Sequence, residues 1–293
     1  MLRKLKKFEY RKPKNVEEVV CLLEKHHKDA KILAGGTDLL VAMKKGVCTP
    51  RHIINLKGVK GLDQIEYSEE ERALKIGALV TIASLLRSQV VKDKFSLLWE
   101  GSSLLASPQV KNMATVGGNI CNASPAADLP PALIALGAEG KICGPHGERK
   151  MPIEDIFKGP GKTVLQSDEL LAEVKVPLPS RRALGKYTKY NPGRMSDLAF
   201  VNVATLLEMK TGTKTCNKAR IVLGAVAEIP MRAFKAEEYL QGKVVNENTI
   251  DHAGTLASEE ARPIDDLRGS AWYRREMVKI LVQKNLKEMT GKF

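Results

Sequence analysis

Two stretches decide the reading: Lys31-Ile32-Leu33-Ala34-Gly35-Gly36-Thr37-Asp38 and Thr115-Val116-Gly117-Gly118-Asn119. In the first, a short apolar strand runs into paired glycines. A helix is expected to follow from Thr37 through Leu39, Leu40 and Met43, with Gly46 as its stop. Glycine lets a backbone approach a ligand closely. The start of the next helix offers unpaired N–H groups and the positive end of its dipole. The corner therefore reads as a cradle for a pyrophosphate. A lone Gly-Gly is more often a plain turn; the second one, in the same chain, favours the ligand.

Working outward, residues 52–56 read as a second strand, which makes a β-α-β unit with the first Gly-Gly at its corner. Upstream, Asn15 and Glu18 form a capping-box pattern before an apolar face of Val16, Val19, Val20 and Leu23. His26-His27 closes that helix, where a cation suits the dipole. Downstream, residues 74–78 are strand-like and Thr81 caps a helix. Residues 96–106 are expected to be helical, with Pro108 ending them. Residues 113–124, small and without helical period, read as a loop that touches something closely. Beyond a helix ending near Leu136, strands are expected at 140–143 and 170–176. Pro177-Leu178-Pro179-Ser180 marks a boundary. The last third reads as strands (186–190, 201–209, 219–227) followed by helices (235–240, 248–257, 270–286), an α+β domain.

Beyond the second Gly-Gly come Asn122, Ser124 and Asp128. A carboxylate there can accept from sugar hydroxyls while loop amides donate to phosphate. Gly159-Pro160-Gly161-Lys162-Thr163 ends like a P-loop. Ile156 stands where its first glycine should be, however, and no long helix follows, so a surface turn is expected. No G-x-G-x-x-G follows a strand, which leaves a Rossmann NAD site unsupported.

The chain has 293 residues, enough for two domains, and a net charge of +13. The lysines are scattered apart from one cluster, Arg3, Lys4, Lys6, Lys7, Arg11, Lys12 and Lys14. That pattern reads as a solvated surface or as a docking face for an acidic partner subunit. The five cysteines are dispersed, with no C-x-x-C, which argues against a disulfide framework and against a zinc or iron–sulfur site. A cytoplasmic location is expected. No apolar run approaches the ~20 residues of a membrane span.

These residues resemble the FAD-binding medium subunit of the molybdenum hydroxylases, the xanthine dehydrogenase and carbon monoxide dehydrogenase type. The resemblance rests on residues 31–38, on Ile76-Gly77-Ala78 with Thr81, and on residues 115–120 with Ala123-Ser124-Pro125 and Asp128-Leu129-Pro130. It continues with Lys189, Arg194 and Asp197-Leu198-Ala199. It implies a PCMH-type (vanillyl-alcohol-oxidase-like) FAD-binding domain over 1–178, with α/β subdomains at about 1–57 and 58–178, and a C-terminal α+β domain of carbon monoxide dehydrogenase flavoprotein type over 179–293.

The resemblance also implies FAD as cofactor. Residues 31–38 and 115–119 would surround its pyrophosphate, with Ser124 and Asp128 on its hydroxyls, and Leu105, Leu171 and Lys189 near the flavin. A cation at Lys189 would favour the reduced flavin. Where Leu105 stands, the animal enzymes carry an aromatic; Tyr187 or Tyr190 is the alternative ring. The implied partners are a molybdopterin-containing large subunit and a [2Fe-2S] small subunit in a hetero-oligomer, with NAD or a quinone as acceptor. No catalytic base and no metal site is expected on this chain. Two other readings remain: a self-sufficient FAD-dependent oxidase or reductase of the same fold, and a basic nucleic-acid-binding protein in which the glycine pairs are mere turns.

Overall fold

The protein is described by a computed structural model covering residues 5–193 and 198–291. The first lobe contains β1 (Glu9–Arg11), α1 (Val16–His26), β2 (Ala30–Leu33), α2 (Leu39–Lys45) and β3 (His52–Asn55). Its three strands form a parallel sheet in the order β1-β3-β2. Asn15 caps α1 by accepting from the Glu18 amide, while the Glu18 carboxylate takes the Lys14 amide at 2.8 Å. Val19 and Leu23 then turn inward onto Ile54 and Leu56.

The second lobe runs through β4 (Ile65–Ser68), β5 (Ala73–Gly77), α3 (Ile82–Arg87), α4 (Gln89–Lys94), α5 (Ser96–Ser103), α6 (Pro108–Met113), α7 (Val116–Cys121) and α8 (Leu129–Leu136). It continues with β6 (Glu139–Gly144), β7 (Gly147–Pro152), β8 (Phe157–Gly159), β9 (Lys162–Thr163) and β10 (Leu170–Pro177). Five of these strands make an antiparallel sheet in the order β4-β5-β10-β6-β7. β10 serves both lobes. Leu170 and Ala172 pack on the first-lobe core, while Leu171, Val174 and Val176 belong to the large core under α5 and α8. Alternation sets Leu171 opposite Leu170 and Ala172, and a register irregularity between Leu171 and Glu173 lets Leu171 and Val174, three residues apart, face the same core.

The C-terminal domain has β11 (Ala183–Tyr190), β12 (Val201–Met209), β13 (Cys216–Gly224) and β14 (Met231–Arg232) in one antiparallel sheet. α9 (Phe234–Leu240), α10 (Glu247–Glu260) and α11 (Ala271–Thr290) follow. Alternation along β12 places Ala204 and Leu206 against the second-lobe core and Val203 and Leu207 against the C-terminal helices. The sheet is therefore buried on both faces, which matches the nearly unbroken burial along β12, polar Asn202 and Thr205 included.

Three local expectations are corrected. α2 begins at Leu39, with Asp38 as its N-cap residue, and not at Thr37. Pro108 does not end a helix. It begins α6 behind Ser107, whose side chain accepts the Val110 amide. Residues 113–124 are not all loop, because Thr115 caps α7.

Candidate cofactor site

A cleft of about 720 Å³ opens between the lobes, within the usual size of a small-molecule site. One wall is the β2–α2 corner, with Lys31, Ile32 and Ala34 through Asp38; the other is Thr115, Gly117, Gly118 and Asn119 on α7. Leu170 and Leu171 of β10 line it between them.

The two Gly-Gly segments differ in what their amides do. Among the described residues, no protein acceptor takes the amides of Gly35, Gly36, Thr37 or Asp38. Unpaired donors lining a cleft call for an anionic or strongly accepting ligand. At the second segment the donors are already engaged. Val116 N–H donates to Val80 O at 2.9 Å and Gly117 N–H to Ala78 O at 2.9 Å. Gly118 N–H donates to Thr115 Oγ1 at 3.1 Å. The first segment can thus hold phosphate oxygens, and the second contributes space.

The glycines divide in the same way. A Cβ on Gly35 would strike the Met113 carbonyl, and one on Gly117 would sit 2.6 Å from Ala78 Cβ. These two let backbones pack. Gly36 adopts φ +82°, a left-handed conformation that suits glycine. A Cβ on Gly118 would meet only Thr115 Oγ1, at 2.7 Å, and otherwise open space. These observations fit a dinucleotide-sized ligand with a pyrophosphate at the β2–α2 corner.

The remaining expected residues lie away from the cleft lining. Leu33 and Val116 flank it in sequence; Val116 is buried in the core. Leu105 is buried at 5% exposure just beyond α5, and Ser124 is half-buried. Asp128 and Lys189 form a buried ion pair of 2.9 Å. Asp128 Oδ1 also accepts from Asn202 Nδ2 at 3.3 Å and from Tyr187 OH at 3.5 Å. Burial pushes the Asp128 carboxyl up, against the pull of Lys189 and these hydrogen bonds. The sequence marked both residues and did not foresee them as partners. Arg3, Lys4, Arg194 and Asp197 lie outside the described residues.

Tyr187 is 3% exposed in the core, with its ring against Gly101. Its position packs the two domains together and gives it no open face. Tyr190 belongs to an aromatic cluster, edge-on to Phe200 and Tyr273, with its hydroxyl 2.7 Å from that of Tyr273. Neither ring lines the cleft.

Several lining residues had no sequence signal. His27 and Lys28 line the cleft from the end of α1, and Leu165, Gln166 and Ser167 from the β9–β10 connection. Only the fold brings them to the glycine corner. The P-loop look-alike is a hairpin turn between β8 and β9, as expected, yet its Gly161 and Thr163 also line the cleft. Among the described residues no group of His, Cys, Asp and Glu could hold a metal, and no helix is long and apolar enough to cross a membrane.

Residues 6–179 match the family described as the FAD binding domain in molybdopterin dehydrogenase. Residues 186–289 match the CO dehydrogenase flavoprotein C-terminal domain. The carbon monoxide dehydrogenase medium chain of Afipia carboxidovorans is 33% identical, over 94% of each chain. The glyceraldehyde dehydrogenase medium chain of Sulfolobus acidocaldarius is 32% identical, over 96% of this chain and 98% of its own. The solved carbon monoxide dehydrogenase of Hydrogenophaga pseudoflava matches with a TM-score of 0.94 at 34% identity, over 99% of each chain. Fold and matched domains together define a flavoprotein of PCMH-type architecture with a CO dehydrogenase flavoprotein-type C-terminal domain. The chain belongs to the FAD-binding medium subunits of the molybdenum hydroxylase family, an electron-transfer component of oxidoreductases.

Proposed function

We propose that this chain binds FAD in the interlobe cleft and works as the electron-transfer subunit of a hetero-oligomeric molybdenum hydroxylase. Electrons would arrive from [2Fe-2S] clusters of a small partner subunit, after substrate oxidation on a molybdopterin-containing large subunit. They would leave to NAD or a quinone. The observation that carries the reading is the row of unpaired amides at Gly35–Asp38, which line a cleft in a matched FAD-binding domain.

In this reading the amides of residues 35–38 donate to the pyrophosphate, and Gly118 leaves room for it across the cleft. Lys31 and Lys28 add positive potential along the cleft. Leu171, which lines the cleft, offers apolar contact to the ring system. Asp128 retains acceptor capacity for a cofactor hydroxyl beside its protein partners, and Lys189 holds it in place. Bound FAD would supply the redox chemistry, and the protein would bind, orient and tune it.

The organic substrate is set elsewhere in this reading. Medium chains named for carbon monoxide and for glyceraldehyde dehydrogenases are almost equally similar to this one. Native purification tests the proposal. A flavin absorption spectrum, one FAD per chain, and co-purifying molybdenum and iron–sulfur subunits identified by mass are expected. A colourless chain would end the FAD assignment. A lone yellow chain that turns over an organic substrate would favour the self-sufficient flavoenzyme.

A further inference from the structure

We propose that Arg149, an exposed residue of β7, is a positioning residue of the cofactor cleft: it holds Glu169 so that the 165–169 connection forms a fixed wall, and it neutralises a carboxylate that an anionic ligand would otherwise meet there. The inference rests on the FAD reading above.

Leu165, Gln166, Ser167 and Glu169, between β9 and β10, line the cleft. The segment has no helix or strand of its own. It is tied at one end by Val164 N–H, which donates to Ile156 O at 2.9 Å, and at the other by its entry into β10. Between these ties Glu169 closes a small ring. Its own N–H donates to Gln166 O at 3.2 Å, and its Oε2 accepts the Gln166 N–H at 2.8 Å. The carboxylate thus supplies a charge-assisted bond that shapes the turn.

Arg149 fixes that carboxylate from outside the cleft. Its Nε donates to Glu169 Oε1 at 3.1 Å and its Nη2 to Oε2 at 2.9 Å, a two-pronged contact that sets orientation as well as charge. The strand order places β6 between β10 and β7. Glu169 reaches across it at Gly144, where a Cβ would come within 2.9 Å of Glu169 Cγ. The glycine leaves that path open.

Partial burial opposes ionisation of Glu169, but the bonds from Arg149 and the Gln166 amide prevail and hold its carboxyl below the usual carboxylate range. Glu169 is therefore negative at neutral pH. Among the described lining residues the other carboxylate is Asp38. An unmatched negative charge in the wall repels a pyrophosphate, whereas one matched by a guanidinium is nearly silent to it. An ordinary surface ion pair would add little stability and leave ligand affinity unchanged. Affinity, its salt dependence and its rescue separate the two roles.

The experiment uses the full chain, with whatever partner subunits co-purify, as wild type, Arg149→Met and the Arg149→Met/Glu169→Gln double variant. FAD affinity is read by fluorescence titration of the apoprotein at low and high salt, and folding by thermal melts. Arg149→Met is expected to melt near wild type and to bind FAD about tenfold more weakly, with a defect that shrinks as salt screens the bare carboxylate. Glu169→Gln in that background removes the charge and keeps an oxygen for the Gln166 amide. The double variant should therefore recover most of the affinity. Wild-type affinity in Arg149→Met, or a defect that Glu169→Gln does not relieve, would overturn the role of Arg149 and leave the FAD reading intact. Wild-type protein that takes up no FAD would overturn both.

Discussion

Asp128, at the N-terminal end of α8, and Lys189, on β11, meet at 2.9 Å with side chains 6% and 1% exposed, so the two domains are joined by a buried ion pair. Asn202, fully buried, adds bonds from its Nδ2 to Ala127 O at 3.2 Å and to Asp128 Oδ1 at 3.3 Å. Gly224 is glycine because a Cβ there would strike Asn202 Oδ1. Burying either charge alone would be costly, and each makes the other tolerable.

Lys189→Met should therefore destabilise the protein by about 3–5 kcal/mol, the scale of an orphaned buried charge. The Asp128→Asn/Lys189→Met double variant should lose less than the sum of the two single losses. Burial already raises the Asp128 carboxyl, and loss of Lys189 raises it further. A raised folded-state value gives stability at low pH that is lost as pH rises through it. The Lys189→Met deficit relative to wild type should accordingly shrink as pH falls through the raised value of the Asp128 carboxyl. Urea unfolding measures all three effects. Additive single losses would mean the two charges act independently.

The two glycines of α7 should separate folding from binding. Gly117→Ala puts a Cβ against Ala78, and such overpacking costs about 1–3 kcal/mol. Gly118→Ala disturbs only the Thr115 cap, a loss of about 1 kcal/mol, against a helix-propensity gain of similar size. Gly118→Ala should melt near wild type and bind FAD less tightly, and Gly118→Val should bind least. Thermal melts and FAD titration decide it. A Gly118→Val protein with full FAD occupancy would remove α7 from the phosphate wall.

A second contact across the domains is Arg220 on β13, whose guanidinium donates to Ala135 O at 3.2 Å at the end of α8. Gly137, the C-cap, adopts φ +71°, and a Cβ there would collide with that guanidinium. Gly137→Ala combines a left-handed alanine with a displaced arginine, so a loss of about 1–3 kcal/mol is expected. Arg220→Ala should relieve the collision, making the double variant less harmed than the sum. Equal additive losses in unfolding experiments would show that Arg220 already avoids Gly137.

Central strands were readable because their apolar runs are long. β12 matched its expected span of 201–209. Among the strands that escaped are β1, β4 and β7, which each pair on one side only. Glu9, Tyr10 and Arg11 are all exposed, and β7 carries Glu148, Arg149 and Lys150. Charges that blunt an edge against unwanted pairing also erase the alternating pattern. At the site, short glycine motifs were visible and their chemistry was not. Only hydrogen-bond partners distant in sequence, Ala78 and Val80, show that the α7 amides are engaged while those of residues 35–38 are unpaired. The ion pair of Asp128 and Lys189 spans 61 residues, which no local pattern encodes.

Asp266 sets an acid limit on one end of the C-terminal domain. Arg274, 2% exposed, donates to Phe200 O at 2.7 Å, to Ala225 O at 2.9 Å and to both Asp266 oxygens at 2.9 Å. Partial burial opposes ionisation of Asp266, but hydrogen bonds from Arg268 and Arg274 prevail and hold its carboxyl at about 2. An unfolded aspartate titrates near ~3.9. Because the folded value is depressed, the stability it contributes is present above ~4 and is lost as pH falls from there through about 2. Asp266→Asn keeps an acceptor oxygen and loses the charge, so a deficit of about 1–2 kcal/mol is expected at neutral pH. The gap between variant and wild type should close between about pH 4 and pH 2, followed by thermal melts across that range. A gap unchanged at the acid end would show that Arg274 is held by the two backbone carbonyls and not by the carboxylate charge.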